Sequence, residues 1–181
     1  MANSFVLSSL RPALASAIAL ATGLLPVSTI ATEPPAAQFD HAPRLVRTGT
    51  DTLAATRVSG TTYTFTLTVP QDAGAALQAV TVTQEGNLSP IEFEVNQSRA
   101  FAADGTRVPL ASVGGVAGKE TTIAFAQPIQ PGKTVTIALK ADRSPDTAGV
   151  YSFGITAYPV GNSQKGLSLG YGRVTVYGYG R

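Results

Sequence analysis

From Thr62 to Val69 the chain reads Thr-Tyr-Thr-Phe-Thr-Leu-Thr-Val, threonine and apolar residues in strict alternation. A period of two sends successive side chains to opposite faces of an extended backbone, so this stretch fits a strand with one dry face and one wet one. A helix would scatter both kinds of residue around its whole circumference. The period returns where Val135, Ile137 and Leu139 alternate with Thr134, Thr136 and Ala138, and again at Tyr151, Phe153, Ile155 and Ala157. Asp142-Arg143-Ser144-Pro145-Asp146 separates these two runs with turn chemistry: Asp and Ser bond back to their own backbone, and proline fixes φ. The spacing predicts two long strands joined by an exposed loop at the centre of an antiparallel sheet.

Shorter runs carry the same pattern. Val80 and Val82 alternate with Thr81 and Thr83 before a turn at Glu85-Gly86-Asn87; Ile91, Phe93 and Val95 oppose Glu92 and Glu94; Ile123 and Phe125 precede Pro128. Near the end, Leu167, Leu169 and Tyr171 hold odd positions, whereas Val174 and Val176 hold even ones. A strand exchanges its dry face only through an extra residue, and Gly170 and Gly172 stand at the exchange, which predicts a bulged final strand. Roughly seven to nine strands of this kind predict an all-β fold, a two-sheet antiparallel immunoglobulin-like sandwich over residues 44–181.

Ahead of that domain, Met1–Ala31 has the form of a signal peptide. Arg11 is followed by an Ala/Leu/Ile run, Pro26 stops the helix, and Thr29-Ile30-Ala31 offers small residues for cleavage. The apolar run is shorter than the ~20 residues of a membrane span. The expectation is a cleavable export helix, then a flexible Pro/Ala-rich tether over residues 32–43, and no membrane span once the leader is gone. The location would be periplasmic or extracellular. The chain has no cysteine, which excludes disulfides, thiolate metal sites and cysteine nucleophiles. Its 13 cations and 11 acids are spread along the sequence and predict no patch for nucleic acid.

The run Gly149-Val150-Tyr151-Ser152-Phe153-Gly154-Ile155-Thr156-Ala157-Tyr158-Pro159, with Leu169-Gly170-Tyr171-Gly172-Arg173 after it, resembles a family of secreted cyanobacterial proteins known only as a domain of unknown function. Tyr63–Pro70, Val80–Gln84 and Thr134–Leu139 extend the resemblance over most of Arg44 to Tyr177. It implies export and brings no activity. A weaker likeness joins Pro131-Gly132 and Val135-Thr136-Ile137 with Ala148-Gly149 and Tyr151-Ser152-Phe153; it is similar to the periplasmic copper-binding sandwiches of the CopC type. Those hold their metal with histidines.

Here His41 is the sole histidine. One imidazole makes neither a copper site nor a Ser–His–Asp triad, and amino-terminal copper chelation would need His41 in third place after cleavage behind Gln38. Glu92 and Glu94 would share a strand face about 7 Å apart, the arrangement of a glycosidase pair, but with the apolar residues pointing away from them. Asp142 and Asp146 flank the long loop and offer two of the six to eight oxygens that calcium takes. Gly149, Gly154, Gly170 and Gly172 build no phosphate loop. Asn96-Gln97-Ser98 matches a glycosylation sequon. Tyr151 and Tyr171 are expected in the core with Tyr158, Tyr177 and Tyr179 capping it; the competing reading is a tyrosine-rich binding surface. No catalytic, cofactor-binding or metal residue is assigned, and no cofactor. The expectation is an exported non-enzymatic module of the cell envelope, interacting or structural, with an unknown envelope or extracellular partner. The alternatives are a carboxylate-dependent glycan hydrolase and a periplasmic copper-binding protein.

Overall fold

The computed structural model describes residues 38–55, 59–161 and 165–178; the leader, the first half of the tether and Tyr179 lie outside the described residues. Ten strands follow in order: β1 (Arg44–Thr50), β2 (Thr62–Thr68), β3 (Leu77–Glu85), β4 (Arg99–Ala102), β5 (Arg107–Val108), β6 (Leu110–Val116), β7 (Glu120–Ile129), β8 (Thr134–Lys140), β9 (Gly149–Pro159) and β10 (Leu167–Val176). A single 3-10 turn, Val95–Gln97, interrupts them among the described residues. The first sheet runs β1-β2-β8-β4-β5 and the second β10-β9-β3-β7-β6, every pairing antiparallel. This is the expected immunoglobulin-like sandwich.

Alternation places the side chains as predicted. Tyr63, Phe65 and Leu67 of β2 and Val135, Ile137 and Leu139 of β8 are buried, and so are Tyr151, Phe153, Ile155 and Ala157 of β9. On the wet face the threonines bond across strands, Thr66 to Thr136 at 3.0 Å and Thr68 to Thr134 at 2.9 Å. The ladder is thus reinforced on both sides.

The hairpin expected around Asp142–Asp146 does not form. β8 pairs with β2 and β4, β9 with β10 and β3, and the two strands belong to different sheets. Alternation marks which side of a strand is dry; a dry side serves equally beside a neighbour or across the core. The connection is tied to the first sheet, where Ala141 N–H donates to Thr61 O at 2.7 Å and Asp142 N–H to Glu92 O at 3.1 Å. Ser144 and Pro145 are then buried as the chain crosses the end of the sandwich, so the middle of the loop is not exposed.

Both sides of the sandwich are closed. On one, Pro109 separates β5 of the first sheet from β6 of the second, and a single extended segment serves both. On the other, β1 and β10 meet, and the segment after β1 bonds to the end of β10 through Tyr177 N–H to Leu53 O at 2.7 Å and Ala55 N–H to Tyr177 O at 2.9 Å. Edges covered in this way offer little backbone to a stray strand. The bulge predicted in β10 is present: the register slips between Ser168 and Tyr171, with Gly170 at φ 91°. After it Val174 and Val176 point inward.

The two core tyrosines end differently. Tyr151 Oη donates to Thr147 O at 3.0 Å, whereas the buried Tyr63 Oη meets no partner among the described residues. Burial, with smaller contributions from Tyr151 and Asp51, pushes the Tyr63 phenol well above its usual range. A raised folded-state value means stability that is intact below the unfolded phenol's value, about 10, and is lost as pH climbs beyond it. Tyr63→Phe should therefore be neutral or stabilising by up to about 1 kcal/mol at neutral pH, while Tyr151→Phe costs about 1 kcal/mol. Urea unfolding near pH 7 and again above about pH 10 measures both, and the alkaline loss should be smaller in Tyr63→Phe.

Candidate functional site

His41 is fixed rather than loose. Its Nδ1 lies 2.9 Å from the Asp72 carbonyl and 3.4 Å from Asp72 Oδ2, while Asp40 N–H donates to Ala73 O at 2.9 Å. Phe39 packs against the core, so the last residues of the expected tether run along the loop between β2 and β3. The ring stays exposed beside a single carboxylate. No group of three or more His, Cys, Asp or Glu side chains comes together among the described residues.

Glu92 and Glu94 do not share a strand face, because their stretch is not a strand. Gln84 occupies its backbone instead: Oε1 accepts Ile91 N–H at 2.8 Å, and Nε2 donates to Ser89 O at 3.0 Å. Phe93 keeps one isolated bridge to Ala141, and the chain then turns at Val95–Gln97. Glu94 takes the amide of Gln97, and Glu92 faces a pocket of about 290 Å³ bordered by Ser89, Asp142, Arg143 and Asp146. Glu94 is bonded to Gln97 while Glu92 borders a pocket that Glu94 does not line, so the shared site of an acid–nucleophile pair is not formed.

Asp142 and Asp146 do come to one pocket, each with a neighbour. Arg143 places Nη2 at 2.8 Å and Nε at 2.9 Å from Asp142 Oδ2, an exposed pair worth about 0–1 kcal/mol. Asp146 Oδ1 accepts from Ser89 Oγ at 2.9 Å and from Thr147 Oγ1 at 3.1 Å. These are loop-fastening bonds.

The tyrosines divide differently from expectation. Tyr151 is core, but Tyr171 is 63% exposed and Tyr177 60% exposed. The bulge at Gly170 is the reason, since it returns Tyr171 to the outer face of the second sheet opposite Gly154. Its ring lies over that glycine, 3.6 Å from where a Cβ would stand. Tyr158 does the same beside Gly166, at 2.6 Å. Gly154 and Tyr158 are four residues apart on β9, so the two rings stand roughly 13 Å apart by strand rise. Thr156 lies between them in a polar row with Ser168, Thr81 and Thr122, and Thr81 and Thr122 bond at 2.7 Å. An open groove of about 440 Å³ follows this row, with Gln78, Ala79 and Tyr158 on its walls.

One arrangement escaped the sequence reading altogether. The strands of the first sheet hold Arg44, Arg47, Arg99, Arg107 and Lys140 and not one acid. Those of the second hold Glu85, Glu120 and Arg173. Cations far apart along the chain are gathered by strand register, which linear spacing does not display.

A family model described as "Protein of unknown function (DUF2808)" matches residues 36–176. No curated protein matches the chain. Among solved structures, the bacterial hydrophobin BslA is 14% identical, with 78% of this chain and 98% of that one covered and a TM-score of 0.45. The pilus backbone protein RrgB of Streptococcus pneumoniae is 15% identical over 71% of this chain and 34% of that one, TM-score 0.48. An uncharacterised protein of Nocardia farcinica with an immunoglobulin-like fold is 16% identical over 71% and 96%, TM-score 0.42. Likeness at this level does not extend to function.

Proposed function

The chain belongs to the DUF2808 family, and from that premise we propose that it is an exported, non-enzymatic interaction module that meets its partner with the outer face of the second sheet. Export is supported by the leader composition of Met1–Ala31, with residues 32–43 as the connection to a sandwich over 44–181. The observation that carries the binding face is Tyr171: a large aromatic held 63% exposed by a bulge, on the same face of the sheet as an open groove bordered by Tyr158, Thr81 and Thr122. Tyrosine in such a place supplies rigid contact area with a polar tip. A hydrolase reading has separated carboxylates against it, and a copper site has a single imidazole.

The test is capture from envelope extract on immobilised protein. Removing β10 altogether would take the core residues Val174 and Val176 with it. Tyr171→Ala is the cleaner change. It should unfold within about 0.5 kcal/mol of the parent, as an exposed site does. It should also lose the component that the parent captures. Equal capture by the parent and by a Tyr158→Ala/Tyr171→Ala pair would overturn this choice of face.

A further inference from the structure

The outer face of the first sheet has a chemistry of its own. Arg44 pairs with Thr68 and Arg47 with Thr66, and both threonines alternate with buried Phe65 and Leu67, so both arginines stand on the outer face. Residues three apart would normally face opposite ways; the register slip between Leu45 and Arg47 brings them to one side. One row runs unbroken across the sheet, Arg47–Thr66–Thr136–Phe101–Arg107. Its end arginines are four strand spacings apart, about 19 Å. Arg99, opposite Ala138, and Lys140, opposite Thr62, add two further cations on the same side.

Among the described residues no carboxylate forms an ion pair with any of these five. Two acids near them in sequence are occupied by backbone at the ends of strands, where Asp51 Oδ1 accepts Thr62 N–H at 2.8 Å and Asp104 Oδ1 accepts Thr106 N–H at 2.9 Å, and Asp142, two residues after Lys140, is paired with Arg143. A cationic field with fixed hydroxyls between its charges attracts a polyanion and also offers partners to hydroxyl groups.

We propose that this face is a second binding surface, whose ligand is an acidic polysaccharide. Charge complementarity selects a polyanion. The threonine rows favour a sugar polymer over nucleic acid, because among the described residues the strands of this face present Phe101, half-buried, as their one outward aromatic, no platform for stacked bases. The choice of a glycan also rests on the export reading above. The two faces of the sandwich would then hold different partners.

Binding is measured on purified chain, so its outcome is independent of where a cell places the protein. Alginate is the probe and neutral dextran the control, with a DNA duplex and anionic phospholipid vesicles in parallel. Alginate should bind at low salt and release as salt rises, while dextran does not bind. Arg47→Glu combined with Arg107→Glu alters two exposed side chains and should leave the unfolding midpoint in place. It should weaken alginate binding by about tenfold or more, since two attractive charges become repulsive. Lys119→Glu, in the turn between β6 and β7, should leave it unchanged. No alginate binding at low salt, equal weakening by Lys119→Glu, or tighter binding of DNA or vesicles than of alginate would each overturn the proposal.

Discussion

Phe153→Ala should lower the stability of the domain by about 3–5 kcal/mol, the range for truncating a fully buried aromatic. Phe153 has no exposed surface and belongs to the second sheet, yet its ring is met by residues of the first. Phe65 lies 5.4 Å away at 77° and Tyr63 5.6 Å away at 60°, both edge-on; Phe93, from the irregular segment, lies 6.4 Å away. Edge-to-face pairs add about 0.5–1.5 kcal/mol beyond the area they bury. Removing this ring opens a cavity between the sheets that stiff strands cannot close. For a domain of this size the melting temperature should fall by roughly 10 °C or more. Val150→Ala, three residues away and 52% exposed, should stay within about 0.5 kcal/mol of the parent. A loss under about 1 kcal/mol for Phe153→Ala would show that the sheets are held together elsewhere.

How far the fold could be read in advance depended on which physical quantity a residue pattern encodes. Alternation encodes the dry side of a strand, so Tyr63, Phe65, Val135, Ile137, Phe153 and Ile155 are in the core as expected. The bulge in β10 was legible too, because Leu169 and Val174 cannot both face inward on an unbroken strand. Strand partners were not legible. Nothing local distinguishes a strand beside β8 from one in the other sheet, which is why the spacing around Asp142–Asp146 fits neighbouring strands equally well. The Glu92–Glu94 stretch failed for another reason: a side chain, that of Gln84, satisfied backbone groups that a ladder would otherwise have claimed. Tyr171 and the arginines of the first sheet share a third cause. In each case a one-residue bulge decides the face, at Gly170 for Tyr171 and at Val46 for Arg44 and Arg47. Such a slip inverts every side chain after it; the pattern around Gly170 and Gly172 shows that one occurs but not whether it falls before or after Tyr171.

Gly172→Val tests the joint that closes the sandwich between β1 and β10. Gly172 is buried, and a Cβ there would come within 3.0 Å of Thr48 Cγ2 and 3.1 Å of Thr48 Cβ, with Thr48 Oγ1 closer still. Thr48 cannot step aside. It is β-branched and therefore stiff at χ1, and it sits on β1 opposite the buried Phe65. The valine must force apart the edge strands of two sheets, at a cost of about 3 kcal/mol, the upper end of the usual overpacking range. Thr48→Ala should by itself be mild, because Thr48 Oγ1 is buried without a partner among the described residues. Combined with Gly172→Val it should recover about 1 kcal/mol or more as a coupling energy in a double-mutant cycle. Gly170→Ala separates crowding from backbone strain. Nothing lies within 4 Å of its Cβ position, but its φ of 91° disfavours an L side chain. It should cost about 1 kcal/mol, and Thr48→Ala should not relieve it. Strict additivity between Gly172→Val and Thr48→Ala would mean that the two edges do not meet at these residues. The sandwich would then be open along that side, with β1 and β10 exposed as free edges.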